Sequence, residues 1–180
     1  MRAVRRFAPL FIAWAFISLM FWGWIFGFLT DAPAANKLTL YADAEVPGAV
    51  QLAVLLEEGA GSGIRMAQVH PFTYAMMDSA GLRAADLYLV PEHDVETYRD
   101  WFAPLPDELA SLAETLDSVD ETLGLLAWDP DTRRGLAPEW VAYPQERCWL
   151  LLGRESLHTG TRDTEALDAV RRLYERFPAD

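Results

Sequence analysis

The sequence predicts an N-terminal transmembrane helix followed by one α/β domain, a mostly parallel sheet flanked by helices. Three observations carry this expectation. No charged residue lies between Phe7 and Leu29. At about 1.5 Å per helical residue that run is roughly 34 Å long, enough to cross a hydrocarbon core of about 30 Å. Beyond it, apolar runs and helical patterns alternate as strand, helix, strand, short helix, strand, the order of a parallel sheet with right-handed crossovers. The strand runs are also apolar almost without a break, as strands covered on both faces are.

Residues 1–6 are basic through Arg2, Arg5 and Arg6, and the first acidic residue is Asp31. The positive-inside rule then predicts a cytoplasmic N-terminus at 1–6, a signal anchor at 7–29, a tether at 30–36 and an extracytoplasmic domain at 37–180. Ala32-Pro33-Ala34 offers the site of a cleavable signal peptide, but the apolar core of such a peptide is about 7–15 residues, and the longer run favours retention as an anchor. Arg5-Arg6 lacks the polar context of a twin-arginine signal. Membrane lipid is therefore the expected partner of residues 7–29. Within them Gly23 and Gly27 have the spacing that lets two helices approach closely, a weak route to a homodimer. Trp22 and Trp24 sit where an interfacial anchor belongs.

Leu38–Ala42 reads as a strand ending at Asp43, and Pro47 opens a helix through Glu58. The run Gly59-Ala60-Gly61-Ser62-Gly63 stops that helix. It is no phosphate loop, because it follows a helix and lacks the Gly-Lys-Ser/Thr ending. Ile64–Val69 is a second strand closed by His70-Pro71, Asp78–Leu82 a short helix and Asp86–Val90 a third strand. A helix from Glu92 would align Val95, Tyr98, Trp101 and Phe102 before Pro104 and Pro106 stop it. Leu112–Leu116 fits helix or strand. Leu123–Trp128, Trp140–Tyr143 and Cys148–Leu152 read as further strands. Residues 163–177 have helical spacing at Leu167, Val170, Leu173, Tyr174 and Phe177.

The chain has 15 basic and 27 acidic residues. Three of the basic ones precede the apolar run, leaving 12 basic against 27 acidic residues beyond it, a net charge of −15. So acidic a domain repels nucleic acid, which excludes DNA and RNA as partners. Cys148 is the single cysteine, so an internal disulfide and a multi-cysteine metal site are both excluded. Its setting, Cys-Trp-Leu-Leu-Leu, predicts a buried, inert thiol.

Three segments carry a resemblance. Lys37-Leu-Thr-Leu-Tyr41 is similar to the opening strand of bacterial extracellular solute-binding proteins, the periplasmic-binding-protein type. Leu82-Arg-Ala-Ala-Asp86-Leu-Tyr-Leu-Val-Pro91 resembles their helix, acidic residue and strand. Leu150-Leu-Leu-Gly-Arg-Glu-Ser156, with the helix from Glu165, resembles their strand, polar turn and late helix. The resemblance implies one lobe of such a fold, since about 150 residues suffice for one lobe and not for two closing on a ligand.

In open parallel sheets ligands bind beyond the carboxyl ends of the strands. Those ends carry Asp43, His70 and Glu92, with Tyr74 and His93 close in sequence, and these five are the candidate ligand-binding residues. Asp43, His70 and Glu92 are a donor set suited to zinc or manganese, which keeps a metal-dependent hydrolase as an alternative. The favoured reading is that Asp and Glu at such junctions cap the following helices, with no metal and no cofactor. His158 stands near enough to Ser156 to accept its hydroxyl proton, but no Gly-x-Ser-x-Gly elbow accompanies them, and turn chemistry is favoured for Ser156. Asp117, Asp120, Glu121, Asp129 and Asp131 read as a solvated acidic region without the spacing of a calcium loop. The expectation is a membrane-anchored, extracytoplasmic, non-catalytic interaction or accessory module derived from a solute-binding protein and acting beside a membrane-protein partner. A module holding a small solute at the carboxyl edge of the sheet is the alternative.

Overall fold

The structure, a computed structural model, describes residues 2–30, 32–43, 45–72, 79–118, 121–136 and 146–176. It has two units, 1–33 and 34–180. Tyr74, Asp120, the expected strand at Trp140–Tyr143 and the helix end at Phe177 lie outside the described residues.

The first unit is the helix α1, Arg2–Thr30. Its stretch Pro9–Gly27 is long and apolar enough to cross a membrane, and none of it is buried within the protein. Apolar side chains point outward on all sides, among them Phe11, Ile17, Leu19, Trp24 and Phe26. A helix apolar all round belongs in lipid or in a large core.

The second unit opens with a single 3-10 turn, Ala34–Asn36, and β1, Lys37–Ala42. There follow α2 (Ala49–Gly59), β2 (Met66–Pro71), α3 (Ala80–Arg83), β3 (Leu87–Pro91) and α4 (Glu92–Val95). Then come β4 (Phe102–Ala103), α5 (Asp107–Ala110), β5 (Thr115–Ser118), β6 (Glu121–Asp129), β7 (Arg134–Gly135), β8 (Cys148–Gly153) and α6 (Glu165–Arg176).

The sheet order is β2-β1-β3-β8-β6-β5, with β4 also on β8 and β7 on β6. β2, β1 and β3 are parallel, whereas β8 runs antiparallel to both β3 and β6, and β5 antiparallel to β6. The sheet is therefore mixed, which corrects the expectation of a mostly parallel one. The reason is that β8 fills the place beside β3, and all six of its residues are buried. Burial on both faces gives the same unbroken apolar run whichever way a strand points.

One face of the sheet packs Leu38, Leu40, Leu87, Leu89, Leu125 and Leu150 against α2 and α6. α6 is amphipathic, burying Ala166, Leu167, Ala169, Val170, Leu173 and Tyr174 at helical spacing. The Tyr174 hydroxyl donates to the Leu126 carbonyl at 2.9 Å. Gly59 lets α2 approach closely, since a Cβ there would sit 3.1 Å from the Ala169 backbone. The other face is aromatic, with Phe72, Tyr88, Tyr98, Phe102 and Trp149. Here the expected helix from Glu92 is shorter than its pattern. α4 ends at Val95, a 3-10 turn covers Arg99–Trp101, and Phe102 leaves to pair with Gly153. Tyr98 and Phe102 are still buried together, because turn and strand deliver them to the same cluster.

Candidate functional site

The parallel strands do deliver acidic groups to their carboxyl edge, in a different combination from the expected one. Asp43 follows β1 directly, and its N–H donates to the Leu89 carbonyl of β3 at 2.8 Å. β3 runs straight into α4, whose first turn holds Glu92 and Asp94. The N–H of Glu92 donates to the Arg147 carbonyl at 2.9 Å, which brings Glu146, at the foot of β8, to the same edge. Asp43, His93, Asp94 and Glu146 thus converge from three segments far apart in sequence.

Their electrostatics form one system. The Asp43 and Asp94 carboxyls lie near enough to interact, and such a pair disfavours the charged form of Asp43. Burial, then that contact and the Asp94 charge push Asp43 up to about 6, with His93 opposing and Glu146 adding to the rise. His93 bridges the carboxylates, Nδ1 lying 2.8 Å from Glu146 and Nε2 3.2 Å from Asp94. The hydrogen bond to Glu146, with the charges of Asp94, Glu146 and Asp43, raises the His93 pKa.

The remaining expected residues go elsewhere. Glu92 accepts from the Trp149 indole N–H at 3.4 Å. His70 packs on Tyr41, ring centroids 5.4 Å apart, with Nε2 3.4 Å from Gln68 Oε1. Asp43, His70 and Glu92 are thus drawn to three different partners, and among the described residues no group of three or more His, Cys, Asp or Glu could hold a metal ion. Capping does not account for Asp43 either: α2 begins after Gly48, and the Asp43 carboxyl turns to Asp94 instead. Gly23 and Gly27 lie on α1 with open space where a Cβ would be.

A second polar network lies where β3 begins. Asp86 is buried, and its Oδ2 accepts from the Thr39 N–H at 2.7 Å and the Thr39 hydroxyl at 3.1 Å. Its Oδ1 accepts from the Ser156 hydroxyl at 2.5 Å. Burial raises the Asp86 pKa against these bonds. The Ser156 hydroxyl therefore donates its hydrogen bond to Asp86 and not to His158. It accepts from the His158 backbone N–H at 2.9 Å, the local turn bond expected of it. The His158 ring lies 2.8 Å through Nδ1 from Asp163. A nucleophile–base pair is thus not formed between Ser156 and His158.

Cys148 is buried, and burial pushes its thiol up to about 12, as the apolar setting predicts. Asp129, expected in solvent, is 2% exposed. Its carboxylate accepts from the Thr132 hydroxyl at 2.8 Å, from the Asp131 N–H at 3.0 Å and from Arg147 at 3.4 Å, and its pKa is lowered, first by the Thr132 bond. Asp94 and Glu146 were missed by strand-end reasoning. The signal for both was local: Asp94 ends the acidic-His-acidic triplet Glu92-His93-Asp94, and Glu146 stands just ahead of the β8 apolar run, as Asp86 does ahead of β3.

No protein-family model matches the chain, and no curated protein or solved structure matches it.

Proposed function

We propose that the protein is a membrane-anchored accessory protein, with α1 in the bilayer, the N-terminus cytoplasmic and the α/β domain an extracytoplasmic, non-catalytic interaction module for a membrane-protein partner. The observation that carries this is Pro9–Gly27, a stretch apolar enough to span and nowhere buried within the protein. Arg2, Arg5 and Arg6 ahead of it and the acidic domain behind it support the orientation. The segments at Lys37–Tyr41, Leu82–Pro91 and Leu150–Ser156 support descent from one lobe of a solute-binding protein. The engagement of Ser156 with Asp86 and the burial of Cys148 support a non-catalytic role.

Protease added to spheroplasts tests the orientation: digestion of the domain without lysis is expected, and protection until lysis overturns it. Intact mass of the membrane-extracted protein tests the anchor, which requires residues 1–30 to be retained. Crosslinking in native membranes, read by mass spectrometry, is expected to yield one recurrent membrane-protein partner.

The convergence of Asp43, His93, Asp94 and Glu146 favours a second reading, a solute held at the carboxyl edge. Native mass spectrometry then finds a small molecule that is lost on Asp94→Ala.

A further inference from the structure

The parallel strands start at the edge opposite the acidic cluster. Four segments build this part of the domain: 34–37, 60–65 and 83–86, which open β1, β2 and β3, and 153–165, which leaves β8. The chain enters the domain here and is fastened on entry. The Asn36 side chain donates to the Gly63 carbonyl at 2.7 Å, the Arg65 N–H to the Asn36 carbonyl at 2.8 Å, and Arg162 Nη1 to the Ala35 carbonyl at 3.3 Å. Residues 31–33 alone join Ala34 to Thr30, the last residue of α1. At about 3.3–3.6 Å per residue such a link reaches at most roughly 14 Å. A bilayer holding α1 therefore has its headgroups close to Ala34.

The same segments differ in charge from the rest of the domain. They hold five of its 12 basic residues and four of its 27 acidic ones. Arg65, Arg83, Arg154 and Arg162 are exposed. Of the acids, Asp86 is buried under its hydrogen bonds, Asp163 meets His158, Glu165 accepts from the Gly63 N–H at 3.1 Å, and Glu155 alone is exposed. Further along the edge Asp100, Asp117 and Glu121 are exposed, and the surface turns acidic again. Leu157, 41% exposed, stands among the arginines. An anionic surface is attracted to this patch and repelled by the remainder, so charge decides which part of the domain it meets. Arginine pairs with phosphate oxygens through its planar fork, and Arg154 and Arg162 have further N–H groups beyond those given to the Phe102 and Ala35 carbonyls. We propose that this patch docks on anionic phospholipid headgroups, Arg65, Arg83, Arg154 and Arg162 meeting the phosphates and Leu157 entering the acyl boundary. The docking rests on the reading of α1 as a bilayer anchor, and not on which side of the membrane the domain occupies. It leaves the carboxyl edge open to other partners.

The test uses the full chain in nanodiscs of phosphatidylcholine alone, or of equal parts phosphatidylcholine and phosphatidylglycerol, each with a trace of lipid carrying a nitroxide on its headgroup. A fluorophore is carried by Thr161→Cys at this patch, or by Glu45→Cys beyond the far end of β1, both exposed positions. Cys148 is buried and stays unlabelled. Quenching of the Thr161→Cys label is expected to be stronger in the phosphatidylglycerol discs and to fade with added salt, and the Glu45→Cys label to stay unquenched in both. Arg65→Gln and Arg83→Gln are each expected to lower the ratio of docked to free domain about fivefold, with the thermal melt unchanged. Arg65→Lys and Arg83→Lys keep the charge and are expected to keep most of the docking. Docking is overturned if phosphatidylglycerol adds no quenching to the Thr161→Cys label, if the Glu45→Cys label is quenched equally, or if the glutamine variants match the parent chain. A chain that does not enter phosphatidylcholine discs at all sinks the anchor, and docking with it, whereas one that enters them with the patch unquenched overturns docking alone.

Discussion

At Asp43 burial and Asp94 act in one direction, both disfavouring the carboxylate, so the folded chain releases this proton near pH 6 and the unfolded chain near 3.8. Between those values the folded state binds the extra proton, and stability therefore falls as pH rises from about 4 to about 6 and then levels off. At about 1.36 kcal/mol per pH unit the whole shift is worth roughly 3 kcal/mol, and solvent at this half-open edge screens it to about 1 kcal/mol. His93, raised by Glu146 and the aspartates, adds a loss of the same sign at higher pH. Urea titrations of the full chain in micelles, followed by near-UV circular dichroism, are expected to show this decline. Asp43→Asn is expected to flatten the part between pH 4 and 6 and to stabilise the protein at pH 7 by about 1 kcal/mol. A second expectation concerns Ser156→Ala, which removes one donor from the buried Asp86 carboxylate and leaves the two from Thr39. A cost of about 1–3 kcal/mol is expected, read as a lowered melting temperature. Asp43 and His93 were legible because strand ends can be counted along a sequence. Glu146 could be seen locally as an acidic residue ahead of an apolar run, but not as their partner, since that depends on the pairing of Pro91 with Cys148, a register no local pattern states.

Among the elements, β8 is the most constrained. A Cβ at Gly153 would overlap the Ala85 carbonyl, and one at Gly124 of neighbouring β6 would stand 2.8 Å from the Leu150 carbonyl. Both obstacles are backbone, which cannot rotate aside. Gly153→Ala is expected to destabilise by about 3 kcal/mol or more, above the usual 1–3 kcal/mol of core overpacking. Thermal melts that match the parent chain would contradict this. The elements read most faithfully from sequence, β1, α2, β3, β6, β8 and α6, are those whose burial imprints a period or an unbroken apolar run. β4 and β7, two residues each, are too short to carry either. The direction of β8 left no trace because a strand buried on both faces has no polar side to mark its orientation.

On the scale of the whole molecule, β8 joins the two halves of the sheet, β2-β1-β3 on one side and β6-β5 on the other. A chain stopped at Glu146 lacks β8 and α6, and with them residues of both core clusters. It is expected to show no cooperative unfolding transition, whereas losing residues 1–30 is expected to leave one. The apolar N-terminal helix and the α/β domain behind it were legible at this scale because apolar length is a summed property that needs no register. The place of β8 also has a consequence for the order of events in the cell. β3 leaves the ribosome well before the strand it pairs with, and at about 5–20 residues per second the wait is on the order of several seconds. Throughout it Leu87–Pro91, and from its own emergence Glu121–Asp129, present an open, apolar edge. Whatever attends the nascent chain must shield those edges until Gly153 has emerged, and a pause in translation between them lengthens the hazard.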